Sequence, residues 1–141
     1  MTACARCGHD PAIQPTATWT FHIPRTVTSG NRHVYNVGGS RWAYKKERDE
    51  WQHWFAVRGA EEGISRATGK RRVTLTRYYG GRQREFDQDN YATGAKPILD
   101  AMVRAGLLVD DKREYAEVAY VQIHTDVEEQ RGLLVTLEEL P

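Results

Sequence analysis

The sequence predicts an α/β (α+β) fold: a single domain of order β-α-β-α-β-β, with one mixed sheet and helices packed on it. Three observations carry this expectation. The 141-residue length suits one compact core rather than two. Four short aromatic and β-branched runs, WTFHI, RRVTLTRYYG, YAEVAYVQIHT and GLLVTLEEL, are interspersed with two longer stretches whose apolar residues recur at helical spacing. Hydrophobic residues make up 40% and charged residues 28% of the chain, a balance too apolar for disorder.

Taken in order, Trp19 to Ile23 reads as a strand stopped by Pro24. The Gly, Asn and Ser content of TSGNRHVYNVGGS, with its brief V-Y-N-V alternation, reads as a loop or short hairpin. Ser40 is an N-cap residue for a helix to about Arg58, ended by Gly59. Tyr44, Trp51, Trp54 and Phe55 form its apolar stripe, and Arg41, Lys45, Arg48 and Gln52 fall on another face. Arg71 to Gly80 follows as a strand with Val73, Leu75 and Arg77 on one side. The second helix is expected from Asn90 to Ala105, with Ile98, Leu99 and Met102 inward, a bend at Pro97 and Gly106 just past its end. Two strands joined by the polar turn DVEEQR close the domain.

Residues 1–17 read as an N-terminal tail and 18–141 as the folded domain. No apolar run reaches the roughly eighteen residues of a membrane span, and MTACARCGHD lacks the features of a signal peptide. A cytoplasmic protein without membrane contact is expected. Cys4 and Cys7, with His9, resemble half of a zinc knuckle; the competing reading is a flexible tail carrying two exposed thiols. Zn²⁺ at the N-terminus is therefore one of two expectations.

The net charge of +1 conceals an asymmetry. Arg25 to Arg84 holds 14 Lys/Arg against 5 Asp/Glu, and Glu85 to Pro141 holds 5 against 13. A basic half offers a surface for phosphate backbone, and an acidic cluster beside it repels DNA unless cations intervene. The basic candidates are Arg41, Lys45 and Arg48 on the first helix and Lys70, Arg71, Arg72, Arg77, Arg82 and Arg84 around the second strand.

The acidic cluster centres on FDQDN, Phe86 to Asn90, and on the pair Asp110 and Asp111. In an extended segment, side chains at i and i+2 share a face, which would aim Asp87 and Asp89 at one spot as half of a Mg²⁺ site. A helix and short return would carry Asp110 and Asp111 back past them. The other reading is structural: Asp before a helix is an ordinary N-cap, and Asp-Asp after an apolar run marks a turn. Asp100 is spaced to pair with Lys96 or Arg104 along the helix.

The run DQDNYATGAKPILDAMVRAGLLVDD resembles the signature of the RusA family of Holliday junction resolvases: Asp-x-Asp-Asn, a Lys, an Asp four residues later, and an apolar-Gly-apolar stretch ending in Asp-Asp. Asn31 and Arg32, shortly after the strand ending HIP, resemble the family's N-terminal part, so the likeness spans roughly residues 18 to 125. Five residues lie between Asn90 and Lys96, a longer spacing than in the family's best-known member. The resemblance implies that Asp87, Asp89 and Asp111 are catalytic metal-binding carboxylates, Lys96 the essential lysine and Asn90 a supporting residue. Asp110 would be a further ligand or a neighbour of one. It also implies a Mg²⁺-dependent homodimer, Mn²⁺ serving as an alternative ion, that binds branched DNA and nicks two opposed strands of a four-way junction.

Two other function classes use the same residues. A less selective metal-dependent nuclease would share the carboxylates and differ in substrate, and a junction-binding protein without cleavage would make them incidental. No phosphate-binding Gly-x-x-x-x-Gly-Lys run and no Gly-x-Ser-x-Gly elbow occur, so no nucleotide cofactor is expected.

Overall fold

A computed structural model describes residues 13–30 and 40–141. The first strand, β1 (Ala17–Ile23), buries Phe21 and Ile23 and leaves the alternate Thr18 and Thr20 exposed. Helix α1 (Ser40–Glu61) inserts Trp51 and Phe55, one turn apart, and their rings stack at 6.1 Å. Burying two side chains of this size contributes roughly 1.5–3 kcal/mol each. The helix runs through Gly59 instead of ending there. Gly59 lies under Leu107, and the chain turns at Gly63, whose φ of 65° suits a residue without Cβ.

Strand β2 (Arg71–Tyr79) leads to two short helices, α2 (Gln88–Gly94) and α3 (Lys96–Arg104). The single bent helix expected over this stretch is thus two helices sharing the cap residue Ala95. Pro97 falls in the first turn of α3, where its missing N–H breaks no helical bond. Gly106, at φ 81°, follows α3 as expected. The chain continues through β3 (Ala116–His124), a 3₁₀ turn at Glu128–Gln130 and β4 (Gly132–Glu139).

The four strands form one mixed sheet in the order β1-β4-β2-β3. Only β2 and β3 run parallel, the connection between them passing through α2 and α3. The last two strands, though consecutive, are not neighbours: β4 passes β2 and lies antiparallel between it and β1. Its alternating Leu133, Val135 and Leu137 then meet Phe21, Ile23, Val73 and Leu75 in one core beneath Trp51, Phe55, Ile98 and Met102. Among the described residues, no helix is long and apolar enough to cross a membrane.

Candidate functional site

The segment that enters α2 is held at three points. Gln122 on β3 accepts from the Phe86 N–H at 2.9 Å and donates to the Phe86 carbonyl at 2.8 Å, so its amide acts as a short piece of strand for the loop. Arg77 on β2 donates to the Arg84 carbonyl and to Gln122 Oε1, both at 2.9 Å, while its guanidinium lies 3.5 Å from the Phe86 ring centroid. Tyr91, fully buried, donates to the Leu75 carbonyl at 2.7 Å and packs its ring 5.1 Å from that of Tyr120. FDQDN is thereby fixed to the parallel pair β2 and β3.

Within it, Asp87 is the N-cap of α2. Its Oδ1 accepts from the Asn90 N–H at 2.8 Å, and the Asn90 amide donates to its Oδ2 at 2.6 Å. Asp89 lies in the first helical turn, exposed. The expectation that Asp87 and Asp89 share the face of an extended segment is therefore overturned. The helix starts two residues earlier than expected, and at helical pitch residues two apart diverge. Asn90 lies against Asp87 through both bonds, and each Asp87 oxygen still has lone-pair capacity beyond the bond it accepts.

The second acidic pair follows α3. Asp110 Oδ1 accepts from the Asp111 N–H at 2.7 Å. Asp110 is held below the usual carboxylate range by the Asp111 carboxyl and N–H, which donate to it. Asp111 is pushed up by its side-chain interaction with Asp110, by partial burial and by the charges of Asp110 and Asp100, with Lys96 opposing. Asp111 also adds to the burial that raises the Tyr120 phenol. Asp111, Asp110, Asp100 and Lys96 thus form one electrostatic neighbourhood, bordering the tyrosine on which Tyr91 packs.

From this neighbourhood a groove of about 450 Å³ runs between α1 and α3, lined by Arg41, Tyr44, Lys45, Arg48, Lys96 and Asp100. The first helix's basic face therefore looks onto the lysine and carboxylate of the third. Tyr44 donates its hydroxyl to Asp100 Oδ2, and Arg104 Nε donates to Gln52 Oε1 at 3.0 Å. Asp100 is accordingly held from α1, and Arg104 is taken by Gln52, instead of the two pairing along α3. Tyr44, assigned from its spacing to an apolar stripe, is a polar part of the groove. Its position seven residues before Trp51 matched that stripe, and only its hydroxyl hinted at the second role.

Three expected DNA contacts are corrected by burial. Arg71 is 0%, Arg72 2% and Arg77 3% exposed. Arg71 donates to the carbonyls of Leu107 and Ser65, to Ser65 Oγ and to Glu139, and lies over the Trp19 ring. Arg72 pairs with Glu117 and Glu138 at 3.3 and 3.4 Å, and Lys70 with Glu117 at 3.0 Å. These cations are internal partners for carboxylates of β3 and β4, and Arg77 is a clamp on the loop. Arg82 and Arg84 are exposed. Asn31, Arg32, the V-Y-N-V segment and the Cys4, Cys7 and His9 group lie outside the described residues.

Carboxylate oxygens are hard donors of the kind Mg²⁺ or Mn²⁺ takes, and the crowding that raises Asp111 is a charge that a cation offsets. Among the described residues, no three or more His, Cys, Asp or Glu side chains are gathered in a group able to hold a metal ion. The donor chemistry fits while the ligand shell is not closed. No protein-family model matches the chain, and no curated protein matches it.

Proposed function

We propose that the protein is a metal-dependent endonuclease of the RusA type that resolves four-way DNA junctions by paired nicks. The observation that carries this reading is the groove in which Arg41, Lys45 and Arg48 face Lys96 and Asp100, with Asp111 within electrostatic reach. Cations along a helix suit a phosphate backbone, and carboxylates beside them are costly to DNA binding unless a cation joins them. Placing the two together suits phosphodiester hydrolysis better than passive binding.

In this reading Asp87, Asp89 and Asp111, with Asp110, would hold Mg²⁺ or Mn²⁺, and the bound ion would supply water activation and charge neutralisation. Holding one ion would require the loop entering α2 and the Asp110–Asp111 loop to come together, since their carboxylates are not gathered in one group among the described residues. Lys96 contacts the scissile phosphate and stabilises the charge that develops on it. Tyr44 keeps Asp100 oriented beside Lys96, and Asn90 fixes the Asp87 carboxylate. The product is one broken P–O ester bond per site. Because resolution needs two opposed incisions, the working form is a homodimer presenting two such sites.

The test is cleavage of a labelled immobile four-way junction beside duplex, flap and fork DNA, with Mg²⁺ or chelator, using wild type and Asp89→Asn. Paired symmetric nicks in the junction alone, abolished by chelator and by Asp89→Asn while binding persists, are the expected outcome. Equal cutting of every substrate assigns a general nuclease, and binding without metal-dependent cutting overturns the enzymatic reading.

A further inference from the structure

A second cleft, of about 600 Å³, shares no lining residue with the groove between α1 and α3. It lies across the FDQDN loop, walled by Arg82, Arg84 and Phe86 on one side and by Thr26, Thr28 and Ser29 after β1 on the other. Arg131, immediately before β4, completes it. Among the described residues, no Asp or Glu lines it.

Arg131 is held in an unusual way. Its guanidinium packs against the Gly80–Gly81 turn. A Cβ on Gly80 would come within 2.9 Å of Arg131 Nε, and one on Gly81 within 3.1 Å of its terminal nitrogen, so side chains at these positions would displace it. Gly81 has φ 63°, a conformation that independently favours glycine. Yet among the described residues this seated guanidinium makes no side-chain hydrogen bond and no ion pair, and its Nε is buried without a partner. A buried unpaired donor is costly; Arg71 Nε and Arg72 Nη2 are buried without a partner too, but those guanidiniums, like that of Arg77, meet internal acceptors through their other nitrogens, which the Arg131 guanidinium does not. Among the described residues the exposed Arg82 is likewise without an ion pair.

We infer that this cleft is a phosphate site, in which Arg131 with Arg82 and Arg84 grips a backbone phosphate of a nucleic-acid strand. A planar guanidinium fixed by its turn presents its remaining N–H groups as a fork, the geometry that phosphate oxygens match. The hydroxyls of Thr26, Thr28 and Ser29 line the opposite wall, where oxygen donors suit the same anion. Because Arg84 and Phe86 lead directly into Asp87, a strand gripped here passes beside the acidic loop. The inference names a binding site for the reading proposed above and rests on that reading only for the identity of the strand.

The experiment follows the Arg131 Nε–Hε resonance and the Gly80 and Gly81 amides of the full chain in metal-free buffer. Inorganic phosphate is titrated in one arm and a ten-residue oligothymidylate in the other, for wild type, Arg131→Gln and Arg131→Lys. Saturable shifts with the oligonucleotide are expected. Arg131→Gln should bind it about five- to tenfold more weakly, with a log K against log salt slope shallower by about 0.7, the share of one single-strand contact. Arg131→Lys should restore the slope but not all of the affinity, since charge returns without the fork. Shifts with phosphate and none with the oligonucleotide overturn the strand and leave a small-anion site; no shift in either arm, or an unchanged slope in a folded Arg131→Gln, overturns the cleft itself. Junction cleavage separates the two proposals: cutting with an inert Arg131 removes only this inference, and oligonucleotide held here by a protein that cuts nothing removes only the nuclease reading.

Discussion

Gln122 and Phe86, thirty-six residues apart, are joined by a reciprocal pair of hydrogen bonds in which a side-chain amide takes the part of a missing strand. The same oxygen accepts from Arg77, so one residue of β3 ties together the loop, β2 and the entry to α2. Gln122→Ala leaves the Phe86 amide and the Arg77 guanidinium without this acceptor. It is expected to cost about 1–3 kcal/mol and to lower cleavage more than binding. Denaturant midpoints beside single-turnover cutting check this; unchanged cutting by a destabilised variant would show that the clamp does not position the acidic loop.

Gly94→Ala gives a sign test of the fold. In an exposed helix interior the change stabilises by roughly 1 kcal/mol. Here the new Cβ would stand 1.9 Å from the Thr28 carbonyl oxygen, so the segment after β1 must move. A loss of about 1–3 kcal/mol is expected, as for an overpacked core, and thermal unfolding gives the answer directly.

Arg71 separates structural cations from nucleic-acid contacts. Arg71→Ala removes donors to Leu107, Ser65 and Glu139 at a site with no solvent access, and a loss of about 3–5 kcal/mol is expected. Whatever fraction remains folded should bind DNA with an unchanged salt slope. Arg48→Ala should show the reverse pattern: stability within about 0.5 kcal/mol and a duplex slope shallower by about 0.9.

Lys96 is exposed at the start of α3, so Lys96→Met should leave the unfolding midpoint nearly unchanged. Cleavage is expected to fall by at least about a hundredfold, with junction affinity changing less than about tenfold. A variant that cuts at the wild-type rate would remove Lys96 from the chemistry.

The Asp110 and Asp111 pair predicts a pH dependence whose sign follows from Asp111. Its folded pKa is raised, so its contribution to stability is complete below the ordinary carboxylate value and is lost as pH rises through the raised one. Asp110, held low, acts oppositely: its contribution is present above the ordinary value and fades as pH falls. At neutral pH with chelator, Asp111→Asn relieves repulsion from Asp110 and Asp100. It should raise stability slightly, by no more than about 0.5 kcal/mol because the group is open to solvent. That difference should shrink on acidification through the carboxylate range. Mg²⁺ should raise the melting temperature of wild type and not of Asp111→Asn.

Much of the fold was legible because it depends on periodicity. The Trp51 and Phe55 spacing marks α1's inner face, and Leu133, Val135 and Leu137 alternate as a strand should. The division of the second helix was not legible, since Pro97 reads equally as a bend within one helix or the first turn of another. Arg71 and Arg72 were misread for a different reason. Their partners, Glu139, Glu117 and Glu138, lie 45 to 68 residues away, and no local pattern shows that β2 is flanked by strands on both sides. At the site, the alignment of Arg41, Lys45 and Arg48 was visible in the helical repeat, whereas the face they meet required α3's placement. Arg131 carried no local signal, because its meaning depends on the Gly80–Gly81 turn fifty residues earlier.

The position of β4 bears on when the protein becomes competent. Among the described residues the edge strand β1 has one neighbour in the sheet, and that neighbour is Gly132–Glu139. During synthesis β2, α2, α3 and β3 can assemble as a local crossover unit, with the acidic loops and Gln122 already present. Phe21 and Ile23 must wait until more than a hundred further residues have been made. Arg131 reaches its glycine seat at the same late moment. A nascent or truncated chain that stops short of β4 thus has the acidic loops without a closed core, so the architecture couples completion of the sheet to assembly of the basic cleft.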